Sequence, residues 1–371
     1  MRLTVDQAHL ATGVQSVSRA VSGKTTIPVL QGILISAAAG KITLKAYDME
    51  MGISCPVDGE VVEEGAIVLP AKVVAEIVKR IPGGKISIDV DRGNYSARLT
   101  WSRSEFTIHG LDAGQFPVLP ETGGDAALTV DAEAFRGLIR QTTFATAQGD
   151  ARPVLTGVLL EAQGRDMAMV AIDGVRLALR RAYLSKDGSA EVKAIVPGRA
   201  LNEAARLVSG GEGGVTVQIG RGHASFAAGG AVVVSRLLEG QFPPYQQIIP
   251  KSYSTTVTVR REEFHDACER ASVVSYDQDN TVHLRIARGG VAVSAASPDV
   301  GKVREEIDAQ VEGEEIDIAF NARLVMEGLR ALDSDDVLLR TTGKFSPACI
   351  RPVEHENFVY VVMPLRTADV A

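Results

Sequence analysis

Three short stretches of this 371-residue chain place charged side chains at one and the same helical spacing. They are Lys72, Glu76 and Lys79; Arg199, Glu203 and Arg206; and Arg323, Glu327 and Arg330. Steps of four and three bring the charges of each set onto one face of a helix, with two cations for every anion. In the first set Val73, Val74, Ile77 and Val78 are expected to turn to a sheet. Taken singly, such a helix reads as a solvated amphipathic helix whose ion pairs contribute about 0.3 kcal/mol each. Recurring three times, it reads as a positive surface suited to a repeating polyanion, with the three glutamates keeping the attraction weak.

The residues that usually carry catalysis do not gather. His9, His109, His223, His265, His283 and His355 are dispersed, and no HExxH, GxSxG or Cys/His nucleophile pattern occurs. No catalytic site, metal or cofactor is expected. Cys55, Cys268 and Cys349 are an odd number without CxxC spacing, which excludes a zinc knuckle or a disulfide framework and fits a reducing cytoplasm. SGKTT at Ser22 to Thr26 lacks the first glycine of a phosphate-binding loop, which would fall at Ser18, and follows a helical pattern. The N-terminus has no apolar signal-peptide core and the chain no run of about 18 apolar residues, so no membrane partner is expected.

The elements that must carry the charged faces are set out by an internal repeat. PVLQG at Pro28 returns as PVLTG at Pro153, and QFP at Gln115 returns at Gln241. An acidic strand end recurs at Asp48, Asp173 and Asp299, and the pattern before each charged helix recurs as IVLPAK, AIVPGR and IAFNAR. Three copies of about 124 residues fill the chain, at 1–122, 123–250 and 251–371. PETGGD around Gly123 and PKSYS around Ser252 read as linkers. Each copy is expected to open with a helix, from about Asp6, Asp131 and Arg261. Strands such as GILISAA and KITLKAYD follow, then a second helix from Ala71, Gly198 or Ala322, then more strands such as KISIDVD and SARLTWS. The fold class is α+β, with two helices packed on antiparallel sheet in each copy.

The net charge of −7 argues against a nucleic-acid partner until it is placed. The first copy holds 12 basic and 13 acidic residues, the second 13 and 12, the third 14 and 21. The excess acid is confined to the third copy, in DAQVEGEEID (Asp308 to Asp317) and DSDD (Asp333 to Asp336), which read as outer loops and strand ends.

The three repeats, with TIPVL at Thr26, DME at Asp48, DGVRLA at Asp173, QFPPY at Gln241 and YVVMPLR at Tyr360, resemble the bacterial β sliding-clamp family over nearly the whole chain. The resemblance implies three clamp domains and a head-to-tail homodimer that closes into a ring around double-stranded DNA. It slides without reading sequence and tethers the replicative polymerase, the clamp loader and other clamp-binding-motif proteins. The implied DNA contacts are Lys24, Lys72, Gln148, Arg152 and Arg199, and the helix pattern adds Lys79 and Arg80. The implied partner-peptide cleft comprises Leu155, Ile172, Gly174, Val175, Arg176, Leu177, Pro243, Gln247, Ile248, Phe345, Val361, Met363, Pro364, Leu365 and Arg366.

The implied dimer seam joins the first domain of one copy to the third of the other. It is formed by Arg103, Phe106, Ile108, Val273, Val274, Asp299 and Glu305, with Arg103 facing Asp299, Glu305 or Glu306. Two features depart from the family pattern: Pro153 and Val154 replace aromatic residues, and Glu105 stands where a basic residue is expected. The alternative reading is a repeat-based peptide-binding scaffold without DNA encirclement. It accounts for the cleft but leaves the threefold basic face unexplained.

Overall fold

A computed structural model describes residues 1–121, 126–149, 151–185, 191–208, 213–275 and 280–366. The first third runs β1 (Arg2–Asp6), α1 (Gln7–Val17), β2 (Gly32–Ala38), β3 (Lys41–Tyr47), β4 (Met51–Val57), β5 (Gly59–Glu63) and β6 (Gly65–Pro70). It ends with α2 (Ala71–Arg80), β7 (Lys85–Asp91), β8 (Ser96–Trp101) and β9 (Ser104–His109). The middle third runs β10 (Ala126–Asp131), α3 (Ala132–Arg140), β11 (Gly157–Gln163), β12 (Asp166–Ile172) and β13 (Arg176–Tyr183). It continues with β14 (Val192–Pro197), α4 (Gly198–Leu207), β15 (Gly214–Ile219), β16 (His223–Ala228) and β17 (Ala231–Arg236). The last third runs β18 (Thr255–Arg260), α5 (Arg261–Val274), β19 (Thr281–Ala287), β20 (Gly290–Ser297) and β21 (Gly301–Gly313). It closes with β22 (Ile316–Asn321), α6 (Ala322–Ala331), β23 (Asp336–Thr341), β24 (Ala348–Pro352) and β25 (Phe358–Val362).

The order strand, helix, strands, helix, three strands thus recurs three times, with five strands between the helices of the first third and four in the others, and the second helices begin at the expected Ala71, Gly198 and Ala322. A strand, not a helix, opens each repeat: β1, β10 and β18 lead straight into their helices. Each is five or six residues long, too short for alternation alone to mark it beside a stronger helix signal. The carboxylate of Asp6, the last residue of β1, accepts from the Ala8 amide and caps α1. Leu10, Gly13, Val14 and Val17 then face inward at helical spacing. Gly13 is where helix meets sheet, since a Cβ there would lie 2.7 Å from Val57 and 3.0 Å from Leu44.

The structure bears on three further expectations, of which the first is corrected. Val73 is 44% exposed and Ile77 half-buried, while Ala71, Val74 and Val78 face the sheet. At about 100° per residue Val73, Val74, Ile77 and Val78 spread over about 140° of the helix, wider than the stripe that the sheet covers. The acidic stretch from Asp308 is mostly strand: it forms the end of β21 and the start of β22, with Glu314 and Glu315 in the connection between them. The linker around Gly123 lies outside the described residues, whereas that around Ser252 is irregular chain before β18, tied by the Tyr253 hydroxyl donating to the Pro250 carbonyl at 3.0 Å.

The strands form three antiparallel sheets, ordered β5-β1-β7-β8-β9, β10-β15-β16-β17-β4-β3-β2-β6 and β14-β11-β12-β13-β25-β24-β23-β18-β21-β20-β19-β22. The second sheet crosses from one third to the next where β17 pairs with β4, and the last where β13 pairs with β25. By compactness the chain divides into two units that cut through the middle third. One holds the first third with β10, α4 and β15 to β17; the other holds α3, β11 to β14 and the last third. No helix among the described residues is long and apolar enough to cross a membrane.

Candidate nucleic-acid and peptide interfaces

The charged helix faces form as spaced, but their charges are not equally available. On α2, Lys72 and Lys79 are exposed and make no ion pair among the described residues; Arg80 is exposed and pairs with Glu76 at 2.8 Å. Lys24, Gln148 and Arg152 are exposed in loops outside the helices and strands. On α4, Arg199 reaches the first third, where it donates to Asp48 at 2.7 Å and to the Arg19 carbonyl at 2.9 Å. It holds the turn after β3 as much as it faces solvent.

The glutamates depart most from expectation. Glu203 is buried, bonded to Arg206 at 2.5 Å and 3.5 Å from Arg19. Glu327 of α6 accepts from Arg323 at 2.8 Å and from Arg176. Only Glu76 of the three lies open on a helix surface, so weakening of the basic face by glutamate applies to α2 alone. Burial would push the Glu327 carboxyl up. The hydrogen bonds and charges of Arg176 and Arg323 outweigh it and hold the group below the usual carboxylate range.

The cleft residues fall into a floor and a rim within one unit. Leu155, Ile172, Leu177 and Val361 are buried together with Leu159, Val170, Leu179, Ile195 and Tyr245, and Ile248 packs against them. They are core, which corrects their assignment as contact residues: β13 pairs with β25 with Leu177 directly opposite Val361, so both point into the protein. The rim is exposed. Gly174, Val175, Gln247, Phe345, Met363 and Arg366 reach solvent, and Pro243, Pro364 and Leu365 are half-buried. The Met363 amide donates to the Val175 carbonyl at 2.9 Å, and Leu365 to Ala319 at 2.7 Å, so MPLR is pinned down rather than frayed. The guanidinium of Arg366 and the ammonium of Lys344 lie over the Phe345 ring at 5.6 and 4.9 Å.

Arg176 is not a rim residue. Its side chain is 8% exposed and donates to Asp173 at 2.8 Å, to Glu327 and to the Phe144 carbonyl at 2.7 Å, with the Phe144 ring 5.5 Å away. Sequence spacing shows the Asp173 pairing but not Glu327, 151 residues on, nor Phe144, whose ring meets Tyr360 at 5.6 Å. Phe242 and Ile249, which also pack on the floor, were equally unmarked.

A cavity of about 550 Å³ elsewhere in the chain is lined by Thr12, Gln15, Arg19, Cys55, Glu203 and Arg206. Its charged wall does not suit an apolar peptide, and it is distinct from the cleft. His265, Asp266 and Glu269 bring potential metal ligands within 4.8 Å of one another. Arg330 already donates to His265 Nε2 at 2.9 Å and lies 3.4 Å from Glu269, so a cation of the chain's own occupies that trio.

For the seam, Phe106 and Val273 are exposed and Val274 half-buried, and Asp299 lies open on the turn before β21. Ile108 is buried, opposite Ala97 in the β8–β9 pair, and is corrected to a core residue. Glu305 is gripped from within the chain by Arg270, at 2.7 to 3.0 Å, a pair that holds its carboxyl below the usual range.

Three consecutive α+β domains of one kind, joined by strands that cross from one to the next, define the DNA-clamp class of protein. Models for the N-terminal, central and C-terminal domains of the DNA polymerase III beta subunit match residues 1–120, 129–244 and 246–366. A beta sliding clamp of Staphylococcus aureus is 32% identical over 99% of this chain and all of its own length. Solved structures of a sliding clamp from Bacillus subtilis (32% identity, TM-score 0.94, 99% of each chain) and of one from Pseudomonas aeruginosa bound to griselimycin (28%, TM-score 0.95, 99% of this chain and 100% of that one) share the fold. The chain belongs to the DNA polymerase III beta subunit family, the bacterial β sliding clamps.

Proposed function

We propose that this chain is a processivity factor of DNA replication whose three domains, at 1–122, 123–250 and 251–371, close as a head-to-tail dimer around duplex DNA in the cytoplasm. The observation that carries this reading is a contrast in burial among equivalent strands. Within the chain the last strand of one domain pairs with the domain before it twice, as β17 with β4 and β25 with β13. The corresponding residues Val233 and Tyr360 are 0% exposed. Phe106, at the same place on β9, is 48% exposed, because β9 is the outer strand of its sheet. The first half of β21, the counterpart of β4 and β13, pairs only with β20 among the described residues. One unpaired strand of each kind is what a closed head-to-tail dimer consumes.

Topology then supplies retention, and DNA contact need only be weak. Lys24, Lys72, Lys79, Arg80, Gln148 and Arg152 would steer phosphates without reading bases, and Arg199 would add its charge while bound to Asp48. The rim formed by Val175, Phe345, Met363 and Arg366 over an apolar floor would take short apolar peptide motifs of the polymerase, clamp loader and other partners. The chain would act as an accessory subunit, with polymerisation carried out by its partners. Loading onto a nicked circular plasmid by a clamp loader tests the ring. Retention on the circle and loss after linearisation is expected; equal retention on both forms would overturn the ring, and peptide binding without any retention on DNA would favour the scaffold reading.

A further inference from the structure

We infer, on the reading that the rim of Val175, Phe345 and Met363 takes partner peptides, that the apolar cleft has a second, basic compartment. Arg181, Arg340 and Arg351 form it, and it takes aspartate or glutamate side chains that flank a partner's apolar motif. The register of the last sheet puts both compartments on one surface. Leu177 stands opposite Val361, Val361 opposite Cys349 and Cys349 opposite Arg340, so the four side chains leave the sheet on the same face. In the neighbouring row Leu179 stands opposite Val359. Arg181 follows Leu179 by two residues and Arg351 follows Cys349 by two, which places both on that face as well.

The three guanidiniums converge on one carboxylate. Glu356, in the connection between β24 and β25, is exposed and bonds Arg351. Its carboxyl is held below the usual range, first by Arg351 and then by the charges of Arg340 and Arg181. Three cations around a single anion leave a surplus of positive charge, and Glu356 marks where an acidic side chain from outside would sit among them. Glu161, in the same row as Arg181, is already bonded by the Tyr245 hydroxyl at 2.8 Å and by Lys193 at 2.9 Å.

The guanidiniums also keep donors that their own chain does not use. The Nε atoms of Arg340 and Arg351 are buried without a hydrogen-bond partner. Arg340 rests on the Tyr253 ring at 5.6 Å, and neither it nor the exposed Arg181 makes an ion pair among the described residues. Stacking of this kind leaves the edge of a guanidinium open to a carboxylate. Lys344 and Arg366, both against the Phe345 ring, carry the positive charge on to the rim. The border runs against the composition of the last third, which holds 14 basic and 21 acidic residues.

An acidic peptide fits this surface better than a phosphate backbone does. Tyr360, on the opposite face of β25, donates to the Leu324 carbonyl of α6, so the basic compartment lies on the side of the sheet away from that helix. It is continuous with the apolar floor through Val359, which is half-buried and packs against Leu179 and its neighbours. Cations that begin where an apolar surface ends match a peptide whose apolar residues are followed or preceded by carboxylates. The apolar rim would then supply affinity common to all partners, and the arginines would select among them by the charge of their flanks.

Fluorescence anisotropy on the full-length chain tests the compartment. The probe is a labelled clamp-binding-motif peptide of the replicative polymerase, made with three alanines or three aspartates before the motif, and likewise after it. On one of the two flanks the aspartates are expected to tighten binding about tenfold at low salt and less at high salt. Arg181→Glu and, separately, Arg340→Gln combined with Arg351→Gln should each remove that advantage and bind the alanine-flanked peptides as wild type does. Arg181 is exposed, and circular dichroism checks the fold of the pair at the partly buried positions. Aspartates without effect on either flank, or an advantage that survives in either variant, would overturn the basic compartment and leave the apolar rim standing. A labelled single-stranded oligonucleotide that competes with the acidic flank and is released by the same substitutions would identify a phosphate site and overturn it too. Failure of every peptide to bind the wild-type chain would overturn the rim reading and this inference with it.

Discussion

The two internal junctions share one strand pairing and differ in what surrounds it. Where β17 meets β4, the turn after β3 carries Met49 at a φ of 76°, and Arg199 ties that turn through an exposed ion pair with Asp48. Leu119 lies over Gly52, where a Cβ would approach it to 3.0 Å. Where β25 meets β13, the matching turn carries Gly174 at a φ of 104°, and the polar link runs from Asp173 through the buried Arg176 side chain to Glu327, ending on the exposed Arg323. At the first junction Leu119 packs over Gly52, while Met49 is exposed. The second holds its charges below and leaves Val175, Phe345 and Met363 uncovered. On the reading that this rim takes peptide, one repeated interface serves as a plain joint in one place and as a binding site in the other.

The largest test of this contrast is the loss of each junction's arginine. Arg176→Ala strands Glu327 and Asp173 in a partly buried setting, and a loss of about 3 kcal/mol is expected in calorimetric unfolding. Arg199→Ala should cost at most about 1 kcal/mol, since its pair with Asp48 is exposed on the arginine side. Equal losses would break the distinction between a buried and a surface link.

Binding provides the next test. Phe345→Ala combined with Met363→Ala should weaken a partner-motif peptide by about 2 kcal/mol, roughly thirtyfold, in fluorescence anisotropy, without lowering the melting temperature. Met49→Ala at the other junction should leave the affinity unchanged. A response to Met49 would mean that the first junction also takes peptide. Leu177→Ala is a poor probe, because it opens a core cavity beneath the rim.

Acid titration sharpens the comparison further. The Glu327 carboxyl has a folded pKa below its unfolded value of about 4.3. Its contribution is therefore complete above about pH 4.3 and fades as pH falls through the lower folded value. Glu327→Gln should cost about 2 kcal/mol at pH 7 and progressively less toward pH 3. A penalty independent of pH would argue against an ionised Glu327. The smallest effect concerns backbone strain: Met49→Gly should stabilise the chain by about 0.5 kcal/mol, the relief at positive φ offset by lost packing and a more flexible unfolded chain. A marked loss instead would show that the Met49 side chain holds the first junction closed.

Much of this architecture was legible in the residues. The recurring IVLPAK, AIVPGR and IAFNAR stretches placed α2, α4 and α6 at their starting residues, because a strand ending and a helix beginning is a change of period confined to a few neighbours. The cleft motifs were legible as a set, but not their division into floor and rim. Leu177 and Val361 look like any apolar residues until β13 and β25 are seen to pair with the two opposite each other. Val73 was misplaced for a simpler reason: four apolar residues spread over six positions do not say which of them a helix will bury.

Composition and spacing alone determined that the chain is three copies of one α+β domain, that each copy carries a basic helix face, and that the acidic excess belongs to the third. Folding decided which of those charges are spent. Arg199 on Asp48, Glu203 on Arg19 and Glu327 on Arg176 are pairs between residues 151 to 184 positions apart, and no local pattern encodes them. The same holds for the open edges of β9 and β21. Alternation names a strand from its own residues, but whether its edge is covered depends on which other strand arrives beside it.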